Sequence, residues 1–435
     1  MTPLRPESRA VQARNAGCAA RRFFSEVWLR TRVRPRGWHP FLVRREGRRM
    51  RIALDARTLS HAESGMGSYT VNLVRALLAA DPDLELVLIC RTMPEQEGLQ
   101  DPRITAVRFP FHPMSPATQC ALPARLRQHR FDLFHALFEV VPCGLRQPLV
   151  VTVHDLNWLV NPRYNSTNPV RRLVEGGYYR ASLRRAMQQA SRLLAVSHAT
   201  RHAILEYAPW HAGKTHVTYH GIDSQRIYPL ATDIAWGRLG PLLPPGTPFV
   251  LTVGQGTPYK NHVNAVRGFM AAFGGHPHYR LVLVRRFVRH DKALEALLRT
   301  PQVQAQVLLL PYVPPDVLNA LYNAARMVLH PSYYEGFGLP LLEAMQAGTP
   351  IVTSCVSAMP EIAGSAALLV NPADTRAIAE ALVRLDHDTA LREQCIAEGR
   401  KRLADFSWSR CARTTLAVYR EVAASGSKGG NQTTA

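Results

Sequence analysis

The sequence predicts an α/β protein made of two similar halves, each a parallel sheet with crossover helices, and three observations carry that prediction. The chain is 435 residues long, above the size at which one hydrophobic core stops growing, so two domains are expected. From Met50 onward short apolar runs alternate with amphipathic helical stretches, the pattern of strand–helix–strand units. Near the middle, residues 239–248 gather Pro and Gly and break the alternation, which marks a linker. A hydrophobic share of 46% supplies material for two cores and excludes wholesale disorder.

The first element is a basic extension. Residues 1–49 hold 13 Arg against Glu7, Glu26 and Glu46, a net of +10 out of the chain's +21. They lack the apolar core of a secretory signal, and Arg21-Arg22-Phe23-Phe24 is not followed by the apolar stretch a twin-arginine signal needs. Met50 is read as the true start, with the preceding residues a mis-called reading frame; the alternative is a basic arm that touches acidic lipid. Net charge raises nucleic-acid binding as a function, but about half of that charge sits in the extension, and no nucleic-acid partner is expected.

The first half covers residues 50–238. Its opening run, Ile52-Ala53-Leu54-Asp55-Ala56, is a short buried-type strand, and Ser64-Gly65-Met66-Gly67-Ser68 is a loop leading into a helix over 69–80. Further strands are expected at 86–90, 104–109, 133–135, 149–154 and 193–196. The second half, 249–405, repeats the pattern with strands at 249–253, 281–284, 307–310, 327–330, 350–353 and 367–370. Two such halves place a cleft between two sets of strand C-termini, where open α/β sheets bind ligands. Residues 426–435 form a polar tail. No run approaches 18 apolar residues, so no transmembrane helix is expected. The seven cysteines include no C-x-x-C pair, which argues against a disulfide scaffold or thiolate zinc site and fits a reducing compartment.

The richest stretch is EGFGLPLLEAMQAGTPIV, Glu335 to Val352. A strand ends near Ser332, a loop carries Glu335, Gly336 and Gly338, and a helix begins near Pro340 and stops at Gly348. Glycines ahead of a helix N-terminus let backbone N–H groups approach an anion, and the helix dipole favours negative charge there, an arrangement that suits a diphosphate. Glu335 in the loop and Glu343 in the helix, eight residues apart, flank that position and can bond hydroxyls on either side of it.

With these residues the chain resembles the retaining glycosyltransferases of family 4, whose two Rossmann-like domains facing across a cleft form the GT-B architecture. Glu335 and Glu343 match the family's Glu-x7-Glu signature, and the resemblance runs from Met50 to about Val422. It implies a donor held mainly by the second domain: Glu343 on the ribose hydroxyls, Lys260 on the phosphates, backbone N–H groups around Gly338 and Leu339 on the diphosphate, and Glu335 with Gly336 and Phe337 on the sugar hydroxyls. VGQGTPYKN, ending at Asn261, resembles the family's phosphate-binding strand–loop. His154, in VVTVHD, matches a histidine facing the donor sugar or acceptor, and the loop of Gly65 and Gly67 resembles a glycine loop near the donor phosphates. Glu335, His154 and Lys260 are thus the implied catalytic residues. VTYHGID, residues 217–223, resembles the end of the first domain with His220 where Asn is frequent, and 406–425 resembles the C-terminal helix that crosses back onto it. Two departures stand out. Gln255 occupies a position where many relatives have Arg, and Arg285 and Arg286 follow a strand where a small residue is usual. These arginines either replace the missing charge or are simply exposed.

The implied chemistry is transfer of a sugar with retention, the leaving phosphate helping to take the acceptor proton, without a cofactor or metal beyond the nucleotide-diphosphate sugar itself. VVTVHDL and the spacing around Lys260-Asn261 look most like mannosyltransferases of bacterial polysaccharide pathways, which implies GDP-mannose as donor and a saccharide or lipid-linked saccharide as acceptor. A cytoplasmic enzyme resting on the inner membrane face would follow. The basic stretch 171–192, with Arg172, Arg180, Arg184 and Arg185, is either a solvated face or a surface for anionic lipid. The alternatives are a UDP-sugar-dependent transferase and a non-catalytic nucleotide-sugar-binding scaffold of the same fold. Asp81-Pro82-Asp83 lies between a helix and a strand and is read as a solvated turn; His198 and His202 lack the intervening Glu of a His-Glu-x-x-His zinc pair.

Overall fold

The chain divides into two units, Met1–Arg48 and Arg49–Ala435. A computed structural model describes residues 49–61, 64–96, 98–165, 169–286 and 291–428, all within the second unit; the readings made on the basic extension, on the Arg286 side chain and on residues 429–435 lie outside them.

Two parallel sheets organise the second unit. The first contains β1 (Arg51–Asp55), β2 (Glu85–Cys90), β3 (Ile104–Arg108), β4 (Leu133–Ala136), β5 (Leu149–Val153), β6 (Arg192–Ala195) and β7 (Thr215–Val217), in the order β3-β2-β1-β4-β5-β6-β7. The second contains β8 (Phe249–Gln255), β9 (Arg280–Arg286), β10 (Val307–Leu310), β11 (Met327–His330), β12 (Ile351–Ser354) and β13 (Ala367–Val370), in the order β10-β9-β8-β11-β12-β13. Each is an open doubly wound sheet whose order reverses once, between β1 and β4 in the first and between β8 and β11 in the second.

The composition of the strands explains the layers. β4 and β5 are buried along their whole length, because helices cover both faces of a parallel sheet. Successive residues of β1 feed opposite cores. Ile52 and Leu54 pack with Leu73 and Leu77 of the helix Gly65–Ala80, while Ala53 packs with Leu126, Leu183 and Met187 on the other face. In the second sheet Val250 and Leu251 divide in the same way between Phe269 on one side and Leu321 on the other.

Three features depart from the sequence expectation. The short strand β7 was not foreseen, since three residues give too little periodicity to detect. The first helix begins at Gly65 rather than at residue 69, because the Ser64 hydroxyl accepts from the Gly67 N–H at 3.0 Å and caps a turn that contains both glycines. Residues 239–248 pack on the second half instead of spanning the gap. Ala235, Leu239 and Leu243 are buried with Phe249, so the chain passes between the sheets over 218–231.

The final helix, Trp408–Lys428, returns to the first sheet, where Leu416, Tyr419 and Val422 join the core of β1 and the helix Gly65–Ala80. Gly221 makes that return possible: a Cβ there would lie 2.2 Å from the Trp408 nitrogen. A buried polar relay fixes the helix. His135 on β4 bonds the Tyr419 hydroxyl through Nδ1 at 2.5 Å and the Thr152 hydroxyl through Nε2 at 2.8 Å. Burial holds the His135 ring neutral, its pKa lowered to about 3, with the nearby His154 adding to the shift.

This relay has a pH consequence. The unfolded chain protonates His135 below about pH 6.5 whereas the folded chain does not until about pH 3, so the unfolded state binds more protons and stability falls as pH drops through that window. Denaturation midpoints measured between pH 7.5 and 5 should decline. His135→Gln should reduce the slope below pH 6 by up to about 1.4 kcal/mol per pH unit, and an unchanged slope would refute the assignment.

Candidate active site

The C-terminal ends of both sheets face one cleft of about 500 Å³, within the range of small-ligand sites. Residues from both order reversals line it: Ser64, Gly65 and Met66 after β1, Glu139 after β4, Gln255 to Lys260 after β8, and Glu335 to Leu339 after β11.

On the second half two loops are locked together. Asn261, in the left-handed conformation at φ 56°, donates its amide to the carbonyls of Pro331 at 2.9 Å and Pro372 at 2.7 Å. The Tyr333 N–H adds a bond to the Tyr259 carbonyl at 2.8 Å. Lys260 is thereby held against the loop after β11, and its Nζ lies 2.6 Å from Glu335 Oε1. The Ser332 hydroxyl, at 2.8 Å, and His330 Nε2, at 3.1 Å, reach the same oxygen, and no described residue bonds Oε2. Burial raises the Glu335 pKa, but Lys260 and His330 outweigh it and bring the carboxyl down to about 2. Burial lowers that of Lys260, and Glu335 outweighs it, keeping the ammonium charged.

The helix that follows, Leu339–Ala347, opens at Gly338 with φ 106° and closes at Gly348 with φ 76°, conformations open to glycine. Its N-terminal residues Gly338, Leu339 and Pro340 line the cleft. Glu343, one turn in, accepts from the buried Tyr322 hydroxyl at 2.6 Å and lines the cleft.

The first half meets this loop main chain to main chain. A Cβ on Gly336 would lie 1.6 Å from the His154 carbonyl oxygen. The Gly336 carbonyl accepts from Ser197 Oγ at 2.6 Å and Thr200 Oγ1 at 3.1 Å. Beside it, the Glu361 carboxylate accepts from the His198 and Ala199 N–H groups, at 2.7 and 2.8 Å, capping the helix His198–Tyr207 from across the cleft, and from the Tyr219 hydroxyl at 2.7 Å. His154 Nε2 donates to the Leu137 carbonyl at 2.8 Å, which leaves Nδ1 as the acceptor of a neutral ring. Burial lowers its pKa to about 4, the Leu137 bond opposing.

The expected site residues are thus only partly gathered together. Lys260, Glu335, Gly336, Gly338, Leu339, Glu343 and His154 line one cleft. Gly65 does too, but from the first turn of a helix rather than a loop, and Gly67 is buried with its N–H taken by Ser64. Phe337 lines the cleft with its main chain, while its ring packs against His220, Tyr219 and Phe406. Arg285 is neither exposed nor in the cleft: it is buried beside the Gly256 carbonyl.

Several residues at the cleft were not among the expected site residues. Glu139 and Asp155 place two carboxyls on the first-half wall. Burial, with Asp155 adding, raises the Glu139 pKa to about 8; burial, with Glu335 adding, raises that of Asp155. The signal for Glu139 was available, as an acid just past the apolar strand 133–136. Arg226, on the crossing segment, and Glu361 had no comparable local signal.

Known proteins share this arrangement. The family model for "Glycosyltransferase Family 4" matches residues 64–226, and that for "Glycosyl transferases group 1" matches residues 240–402. The chain is 28% identical over 407 residues to the O-antigen chain mannosyltransferase B of Escherichia coli, covering 85% of this chain and all of the relative. It is 31% identical over 299 residues to the alpha-maltose-1-phosphate synthase of Mycolicibacterium smegmatis, covering 64% of this chain and 74% of the relative. Its fold is shared with the sucrose-phosphate synthase of Thermosynechococcus elongatus, with a TM-score of 0.68 at 22% identity over 87% of this chain and all of that one. The two matched segments carry β2–β7 of the first sheet and all of the second, and the chain belongs to the group 1, family 4 glycosyltransferases, as a hexosyltransferase of GT-B fold.

Proposed function

We propose that this enzyme transfers mannose from GDP-mannose, with retention, to a saccharide or lipid-linked saccharide in the synthesis of a bacterial polysaccharide or glycoconjugate. The observation that carries the reading is the meeting, in one cleft, of Lys260, Glu335 and the N-terminus of the helix Leu339–Ala347 on one wall with His154 on the other. The likeness to mannosyltransferases along nearly the whole of this chain supports the choice of sugar: the O-antigen enzyme is one.

In this reading Glu343, steadied by Tyr322, takes the ribose hydroxyls. Lys260 and the N–H groups at Gly338 and Leu339 take the diphosphate. Glu335 presents Oε2 to a sugar hydroxyl, since its other oxygen is engaged three times over. Neutral His154 offers Nδ1 to a hydroxyl of the sugar or acceptor. The bond between the sugar's anomeric carbon and the phosphate oxygen breaks, the acceptor oxygen joins that carbon on the same face, and the acceptor proton passes to the departing diphosphate. Fixed donors aimed at the leaving group stabilise the charge that develops there. Lys260 and the helix N-terminus supply that stabilisation, so the reading needs no metal and no cofactor.

The acceptor reading extends to the surface. The helix Pro169–Gln189 exposes Val170, Leu173 and Val174, and Arg180 and Arg184 follow on the same helix. Apolar side chains beside arginines suit the headgroup region of an anionic bilayer, and a lipid-linked acceptor would reach the cleft from there. No helix among the described residues is long and apolar enough to cross a membrane. The exposed apolar residues and arginines of the helix Pro169–Gln189 support the reading of an enzyme lying on the inner membrane face.

Thermal melting with GDP-mannose, GDP, UDP-glucose, UDP-N-acetylglucosamine and UDP tests the donor. The guanine nucleotides should stabilise the protein, by about 2.7 kcal/mol at 100 times Kd, and Glu343→Ala should remove most of the effect. Stabilisation by uridine nucleotides alone would replace the donor, and none by either class would favour the scaffold alternative. Gly336→Ala places a methyl on a carbonyl and keeps the halves apart. It should lower kcat/KM by roughly 100-fold or more with little change in nucleotide affinity; wild-type turnover would remove closure from the mechanism. For the membrane, sedimentation with phosphatidylglycerol vesicles should carry the protein down and phosphatidylcholine vesicles should not. Leu173→Glu with Val174→Glu should weaken the association about tenfold; equal binding by the variant would exclude this surface.

A further inference from the structure

The cleft is short of cations. Four carboxyl groups line it, Glu139, Asp155, Glu335 and Glu343, against two basic side chains among the described residues, Lys260 and Arg226. Lys260 is already engaged by Glu335 at 2.6 Å. Gln255 brings no charge, and Arg285, buried behind the loop at the Gly256 carbonyl, cannot substitute for one. Arg226 alone is uncommitted. No described residue accepts a hydrogen bond or ion pair from its side chain, and its Nε is buried without a partner.

Its backbone, by contrast, is firmly set. The Arg226 and Ile227 N–H groups bond the Asp223 carbonyl at 3.1 and 3.0 Å, Ile227 is fully buried, and the Tyr228 N–H donates to Asn319 Oδ1 at 3.1 Å. The segment is therefore anchored to the second half, and the guanidinium stands where Leu339 and Glu343 of the donor side face Ser68 of the first half. Arg226 is half-buried, and a buried donor such as its Nε is costly to leave without an acceptor. Its planar fork matches two oxygens of a phosphate group.

We propose that Arg226 is a donor-binding residue whose guanidinium grips the diphosphate of the nucleotide sugar and supplies the cation missing at Gln255. The inference rests on the reading of this cleft as the nucleotide-sugar site. It assigns phosphate recognition to the segment that joins the two sheets, outside the loops that follow the strands.

Calorimetric titration of the full chain tests it, with GDP and guanosine, and UDP and uridine, as probes. For whichever base binds, Arg226→Met should weaken the diphosphate about 10- to 100-fold and leave the nucleoside within about twofold, and Arg226→Lys should recover part of the loss. Wild-type diphosphate affinity in a folded Arg226→Met variant overturns the proposal. Equal losses for diphosphate and nucleoside also overturn it, because Arg226 would then serve the base, the ribose or the shape of the pocket. If the wild-type protein binds neither GDP nor UDP, the donor-site reading itself fails and the proposal falls with it.

Discussion

The two halves are registered by a contact with no side chain in it. Gly336 sits so close to the His154 carbonyl that a single added carbon would overlap it, and its own carbonyl is held by Ser197 and Thr200. Everything chemical on the second wall is counted from that point: Glu335 precedes it, Gly338 and the helix N-terminus follow it. The Glu361 carboxylate, closing on the first turn of the helix His198–Tyr207, adds charge-assisted bonds to the same junction. Main-chain packing of this kind leaves little slack, which is what orienting a sugar to within a fraction of an ångström demands.

Electrostatics in the cleft are organised around the buried pair of Lys260 and Glu335, each little more than a tenth exposed. Removing one partner of such a pair leaves an uncompensated charge and is destabilising by about 3–5 kcal/mol. Lys260→Ala therefore tests stability as well as binding, whereas a change at Arg226 leaves no stranded partner among the described residues. The facing wall carries carboxyls whose pKa burial raises. Burial pushes Asp155 and Glu139 towards their protonated forms, Glu335 adding to the shift of Asp155 and Asp155 to that of Glu139, which lessens repulsion of an anion entering the cleft.

What was legible in the sequence was periodic or punctuated. Buried parallel strands are apolar throughout, so twelve of them could be read, and Pro340 with Gly348 marked the limits of a helix that runs Leu339–Ala347. Glu335, Lys260 and Glu343 were legible because they stand in motifs at strand ends. Three kinds of feature were not. Ser64 capping moved Gly65 and Gly67 into a helix, since a Ser ahead of glycines looks equally like a loop. The linker was misplaced because Pro and Gly mark a turn without saying which core the adjoining Leu239 and Leu243 join. Glu361 acts across the cleft, and nothing in the neighbouring residues encodes a partner more than a hundred positions away, such as His198; Arg226 likewise stands in no motif that points to the cleft.

The two chain crossings lie side by side, and that fixes how the cleft can work. Residues 218–231 carry the chain to the second half, and Phe406–Trp408 carry it back. The Ile222 N–H meets the Phe406 carbonyl at 3.4 Å, and Gly221 packs on the Trp408 backbone. Any opening of the halves turns about this pair, so displacement is least near it and greatest at the far rim. Arg226 and Glu343 share a recess with Gly221 and Trp408, beside the axis; Trp158 and Tyr179, stacked at 4.9 Å, line the first-half wall. The Gly336–His154 contact lies outside that recess and is made only when the halves meet. On the proposed reading, a donor beside the axis would stay in place while the rim opened to an acceptor, and the two walls would come together only on closure.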